Sequence, residues 1–123
     1  MKNMTKQIFL ISIMLVISSF SYGQYQGPGK TDKTYTIKEI KDNATRLDRS
    51  DAMVKVKGFI VKQIHSNTYQ FKDSSGTINV EIKKKNLPTR PFNDKTEVII
   101  AGEVDYDFLD GTEIEVEQIT FPG

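Results

Sequence analysis

Between Tyr69 and Ile82 the chain alternates apolar and polar residues with strict period two on both sides of a turn. Tyr69 and Phe71 alternate with Gln70 and Lys72, and Ile78, Val80 and Ile82 alternate with Thr77, Asn79 and Glu81. This is the period of a strand with one buried and one wet face. The block therefore predicts a β-hairpin reversed at Asp73-Ser74-Ser75-Gly76, with Gly76 expected to supply a positive φ. Tyr69 and Phe71 share phase with the aliphatics of the partner strand and should face a core. Gln70, Lys72, Thr77, Asn79 and Glu81 should face water.

Three further strands follow the same logic. Met53 to Ile64 reads as a long strand in which Val54, Val56 and Gly58 share one face and Phe59 and Val61 lie on the other. Gly58 is the expected site of a bulge or bend that lets this strand serve two sheets. Glu97 to Asp105 places Val98, Ile100, Gly102 and Val104 on one face, and Glu113 to Thr120 alternates Ile114 and Val116 with Glu115 and Glu117. Ahead of the strands, Thr36 is a plausible N-cap for a short amphipathic helix carrying Ile37, Ile40, Ala44 and Leu47 at helical spacing. Lys83 to Asp94 is a basic, proline-broken connection. The expected fold is all-β: a small five-stranded antiparallel OB-fold barrel with a short N-terminal helix, over residues 34–123.

The N-terminus reads as a separate signal. Lys2 and Lys6 precede the largely apolar run Ile8 to Phe20, and Ser21 and Gly23 sit as small residues before Gln24. That is the layout of a cleaved signal peptide over residues 1–23. The run is shorter than the roughly 20 apolar residues of a bilayer-spanning helix, so the protein is expected to be exported, periplasmic and soluble, and not integral to a membrane. Residues 24–33, rich in Gly, Gln and Pro, are expected to form a flexible lead-in. Without the leader the chain holds 15 Lys and Arg against 16 Asp and Glu, a balance that argues against a general polyanion binder. The sequence has no cysteine. An exported domain of this length then has no disulfide and must rest on its apolar core.

Taken together, these segments resemble the bacterial OB-fold (BOF) family of exported proteins, the YgiW/YdeI-like stress-induced periplasmic proteins. The resemblance is carried by Tyr69–Ile82 and by Val56-Lys-Gly-Phe-Ile60, Gly102-Glu-Val-Asp105, Glu113 to Ile119 and the lead-in Gln26-Gly-Pro28. It spans nearly the whole chain after the leader. The chain departs from the family pattern at Asp48–Val54, which carries no tryptophan. The resemblance implies a soluble periplasmic module linked with tolerance of envelope stress, with no catalytic set to carry over.

The candidate chemistry is sparse. His65 is the one histidine of the sequence, set in a turn with no neighbours that complete a nucleophile–base–orienter set. One His and no Cys also argue against a zinc site, and no cofactor is expected. An OB-fold invites a nucleic-acid reading, but single-strand binders stack bases on outward aromatics within basic charge. Tyr69 and Phe71 point inward here, so no nucleic-acid partner is expected. The wet hairpin face leaves Gln70, Lys72, Asn79 and Glu81 as candidate ligand-binding residues, with Lys72, Asn79 and Glu81 expected to offer a cation, an amide and an anion within a few ångströms, weighed against a plain solvated face. Asp105-Tyr-Asp-Phe-Leu-Asp-Gly-Thr-Glu113 offers two readings. Its carboxylates suit calcium, giving a calcium-ordered structural or interaction domain as the alternative. However, D-x-D-x-x-D-G is one residue longer than an EF-hand start, and Asp110-Gly111 can simply set a hairpin reversal. Tyr106 and Phe108 in this loop are candidate anchors for a partner, or a plug over the barrel end. The expected function is that of a non-enzymatic binding module for an envelope component or envelope protein.

Overall fold

The computed structural model describes residues 33–123. The signal-peptide reading of residues 1–23 and the lead-in reading of 24–32 lie outside the described residues. The elements run β1 (Thr34–Tyr35), α1 (Ile37–Asp42), α2 (Ala44–Arg49), β2 (Met53–Gln63), β3 (Thr68–Asp73), β4 (Gly76–Ile82), a 3-10 turn (Lys84–Asn86), β5 (Glu97–Asp107) and β6 (Gly111–Thr120).

Five of these strands close a barrel. The order β2-β3-β4-β6-β5 returns to β2 because β2 pairs with β5 through residues 53–59 and with β3 through residues 59–63. One long strand thus serves both halves of the sheet, as expected, but its buried phase does not change at Gly58. The break in register falls at Val61, between Ile60 and Lys62. Gly58, the expected bulge, stays in phase with buried Val54, Val56 and Ile60. Its role is close approach: a Cβ there would strike the Lys72 carbonyl and reach the Phe71 ring at 2.9 Å. Two pairings are parallel, β1 on β2 and β4 on β6. The long connection after β4 carries the chain across to β5 first, so β6 returns beside β4 in the same direction. Side-chain alternation carries no information about that direction.

The core matches the alternation. Phe71, Ile82, Ile100, Ile114, Val54, Val56, Val80 and Val98 are fully buried, and Tyr69 packs against them half-buried. Leu87 and Phe92 from the proline-broken connection pack on the same cluster. Among the described residues the core contains no buried polar or charged side chain.

The expected single helix is two. Ile37, Ile40, Ala44 and Leu47 are buried as their spacing requires, but Asn43 ends the first helix. Its backbone sits at φ −120°, ψ 21°, and its side-chain amide donates to the Glu39 carbonyl at 2.8 Å. Local amide bonding of this kind competes with the helical ladder. Thr36 does cap α1: its hydroxyl accepts from the Glu39 N–H at 3.1 Å, and the Glu39 carboxylate accepts from the Thr36 N–H at 2.9 Å. This is a reciprocal capping box.

The hairpin turn uses a different device from the one expected. Gly76 is not among the positive-φ residues, which include Asp51 and Gly111. The reversal is held instead by Asp73. Its Oδ1 accepts from the Ser75 N–H and hydroxyl, both at 2.7 Å, and from the Gly76 N–H at 3.1 Å. Its Oδ2 accepts from the Ile37 N–H at 3.0 Å, and Ser75 Oγ accepts from the Lys38 N–H at 3.0 Å. The turn therefore caps α1 from outside and fastens the helices to the barrel.

Candidate functional site

With an apolar interior, the chemistry of the barrel lies on its outside. The register of the β3–β4 hairpin pairs Thr68 with Glu81, Gln70 with Asn79 and Lys72 with Thr77. Gln70 and Asn79 are therefore direct neighbours on the outer face. Lys72 and Glu81 are not: four residues of strand, roughly 13 Å, separate them. The expected cluster of a cation, an amide and an anion within a few ångströms is corrected to two distinct regions at opposite ends of the hairpin.

At the Glu81 end lies a band of carboxylates from three strands. Glu81 pairs with Glu115 on β6, Glu115 pairs with Glu103 on β5, and Glu113 pairs with Asp105. Partial burial, then the charges of Asp105 and Glu81, push the Glu113 carboxyl above the ordinary glutamate range. Glu115 is raised in the same way by burial, Asp105, Glu81 and Glu103, with Lys83 opposing. Like charges on adjacent strands repel. Among the described residues, no group of three or more His, Cys, Asp or Glu side chains is arranged to hold a metal ion.

At the Lys72 end the outer face changes character. Phe59, half-buried on the outside of β2, sits directly opposite Lys72. With Val61 it floors a shallow apolar groove of about 530 Å³, edged by Lys72, Lys95, Asp94 and the Asp73–Ser74 turn. The sequence puts Phe59 and Val61 on the face opposite Val54, Val56 and Gly58 without joining them to Lys72. The missing link was the β2–β3 register, which only the bulge at Val61 sets.

The β5–β6 hairpin shows how residues 105–113 are held. Asp107 pairs with Gly111 across the turn, and Gly111 takes φ 88°. Asp107 Oδ1 accepts from the N–H groups of Leu109 and Asp110 at 2.7 and 3.1 Å. The carboxylate is spent on its own turn, and the loop's acids do not converge on a point that would coordinate calcium. Tyr106, 39% exposed, lies toward the helices and lines a pocket with Lys41–Arg46, while its N–H donates to Asp48 Oδ2 at 2.7 Å. Phe108 and Leu109 project from the tip, 86% and 85% exposed. The plug reading fails for Phe108, and Leu109 joins it as an apolar residue the sequence reading passed over. His65 is exposed in its turn, apart from both regions.

A closed five-stranded barrel whose surface carries all its polar chemistry defines a small OB-fold module, a class that generally works by binding. The chain belongs to the bacterial OB-fold (BOF) protein family, whose sequence model matches residues 19–121. It is 39% identical to protein YgiW of Escherichia coli over 126 residues, covering 94% of this chain and 96% of that protein. It is 42% identical to the calcium-regulated OB-fold protein CarO of Pseudomonas aeruginosa over 93 residues, covering 76% and 75% of the two chains. The solved structure of E. coli YgiW matches with a TM-score of 0.60, covering 80% of this chain and 97% of that one. The S. pombe Stn1–Ten1 complex matches at 18% identity and a TM-score of 0.53, over 76% of this chain and 81% of that one. This last likeness shows the shared fold alone. Among the described residues no helix is long and apolar enough to cross a membrane.

Proposed function

We infer that this protein is an exported, periplasmic binding module that recognises an envelope component or envelope protein and supports tolerance of envelope stress. The observation that carries the reading is the division of the barrel. The interior is entirely apolar, whereas the outside leaves Phe108 and Leu109 almost fully exposed on an ordered turn. Large apolar side chains held in water by a rigid hairpin are poor for stability and well suited to anchoring a partner. Gln70 and Asn79, paired across β3 and β4, give the outer face of that hairpin its own hydrogen-bonding capacity. Export and the link with stress rest on the signal-like leader and on the family resemblance. A non-enzymatic role is favoured by the family's general character and by the lack of neighbours around His65. The description of the Pseudomonas relative as calcium-regulated concerns that protein; in this chain, loop 105–113 offers calcium no convergent carboxylates.

The test is the amide NMR spectrum of the protein recorded with and without solubilised envelope fractions. Shifts localised at Gln70, Lys72, Asn79, Glu81 and residues 106–110 are expected, and Lys72→Glu should weaken capture without lowering the melting temperature. A spectrum unchanged by every fraction would remove the reading.

A further inference from the structure

Charge is divided unevenly along this chain. From Thr96 to Gly123 it carries eight Asp and Glu and no Lys or Arg, and that stretch is built around the β5–β6 hairpin. On the outer face of the hairpin Glu103 pairs with Glu115 and Asp105 with Glu113. Glu81 on β4 extends the row beyond Glu115. Among the described residues none of these carboxylates forms an ion pair. Lys83 acts on Glu115 from the edge of the row. Lys41 and Arg46 line the pocket beside Tyr106, on the face of β5 that alternation sets opposite Asp105. The acidic face ends in apolar side chains: Phe108 and Leu109 project just beyond Asp107, and Met53, also exposed, sits opposite Glu103. Five residues, roughly 17 Å of strand, separate Glu103 from Phe108. An anionic lipid surface or nucleic acid would be repelled by such a face, and a simple cation would leave Phe108 and Leu109 in water. A chain carrying both positive and apolar side chains satisfies both.

We propose that the outer face of the β5–β6 hairpin, with its Phe108–Leu109 tip, docks a basic, amphipathic segment of a protein partner. Lys or Arg side chains of the segment would lie against Glu103, Asp105, Glu113 and Glu115, and its apolar side chains would cover the tip and Met53. The inference rests on the reading of the tip as an anchor and names the chemistry of its partner. Docking has an energetic consequence for the barrel itself. Carboxylates on adjacent strands repel, and burial together with neighbouring acids raises the Glu113 and Glu115 carboxyls. An incoming cation relieves that repulsion, so binding should raise the melting temperature. Exposed charges of this kind govern capture rate and salt dependence, and the apolar anchors hold the complex.

Calorimetric titration of the full protein with short synthetic peptides tests the proposal. A peptide alternating Lys and Leu is expected to bind, with affinity that falls as salt rises and amide shifts confined to residues 103–115 and Met53. A Glu–Leu peptide of the same length should not bind, and a Lys–Ser peptide should bind at least about tenfold more weakly. The charge variant Glu103→Gln/Glu115→Gln and the tip variant Phe108→Ser/Leu109→Ser should each lose about tenfold in affinity for the Lys–Leu peptide. The charge variant removes repulsion and should melt no lower than wild type, so its loss of affinity would not reflect unfolding. Failure of the Lys–Leu peptide to bind at millimolar concentration, equal binding of the Glu–Leu peptide, or either variant binding like wild type would overturn the proposal. So would binding to vesicles of anionic lipid through residues 106–110, or the same shifts produced by magnesium or calcium alone. If envelope fractions shift residues 106–110 while the Lys–Leu peptide does not bind, the basic partner falls and the recognition reading stands.

Discussion

Replacing Asp73 with alanine should cost this domain about 2 kcal/mol. The carboxylate accepts four hydrogen bonds, from the Ile37 N–H, the Ser75 N–H and hydroxyl, and the Gly76 N–H. The two Ser75 donors are exposed and re-pair with water at little cost. The Ile37 N–H belongs to the first turn of α1, where no helical acceptor exists, and its loss resembles the loss of a cap, about 1 kcal/mol. The half-buried Gly76 N–H adds about as much. For a domain of this size the sum corresponds to a fall of roughly 8–16 °C in melting temperature. Asp73→Asn keeps an acceptor oxygen but loses the charge, so it should cost about half as much.

The pH dependence of that effect has a definite sign. Burial pushes the Asp73 carboxyl upward, but the Ser75 hydroxyl and the Ile37, Ser75 and Gly76 amides outweigh it and hold the group below the ordinary aspartate value. The folded state therefore favours the charged form. Its contribution is complete above the unfolded aspartate range, near pH 4, and is lost as pH falls through the lower folded value. Urea denaturation of wild type and Asp73→Asn, followed by circular dichroism between neutral and strongly acidic pH, should show a gap that closes in that window. An alanine variant within about 0.5 kcal/mol of wild type, or an asparagine gap that persists to the lowest pH, would refute the capping argument.

Other expectations follow from the same geometry. Glu115→Gln should raise stability at neutral pH by a few tenths of a kcal/mol. Because the folded Glu115 value is raised, its repulsion fades as pH falls through that value, so the benefit should disappear near pH 4; a benefit that grows in acid would contradict this. Gly58→Ala should be severely destabilising, since its Cβ meets the Lys72 carbonyl and the Phe71 ring, whereas Gly76→Ala meets only Ile37 at 3.8 Å and should be tolerated. Equal melting temperatures for these two alanine variants would undermine the close-approach reading of Gly58. A calcium chelator should leave the melting temperature unchanged, because the 105–113 carboxylates do not converge; a chelator-induced drop abolished by Asp107→Asn would restore the calcium alternative.

Much of the architecture was legible because its cause is local. The phases of β3 to β6, the inward turn of Tyr69 and Phe71, the Thr36 cap and the Gly111 reversal each depend on residues a few positions apart. The sites were far less legible. Lys72 and Glu81 look like neighbours when the hairpin is read only as an alternating face, but its register sets them at opposite ends. Alternation sets Phe59 on the face opposite Val54 and Val56, but that this face is the outer one, with Phe59 opposite Lys72, required the β2–β3 pairing. The carboxylate band is assembled from Glu81, Glu103 and Glu115, whose separation along the chain hides it.

What the sequence determined by itself was the set of strands, which face of each is apolar, and the family to which they point. Period-two burial is enforced residue by residue, so it is written in the chain. Only the tertiary structure decided which strands meet, in which direction and in what register. Those choices arise from closing the barrel around one core, where the bulge at Val61, the approach at Gly58 and the parallel return of β6 settle together. The surface chemistry is a consequence of that closure, because residues distant in the chain become neighbours only when the last strand is in place.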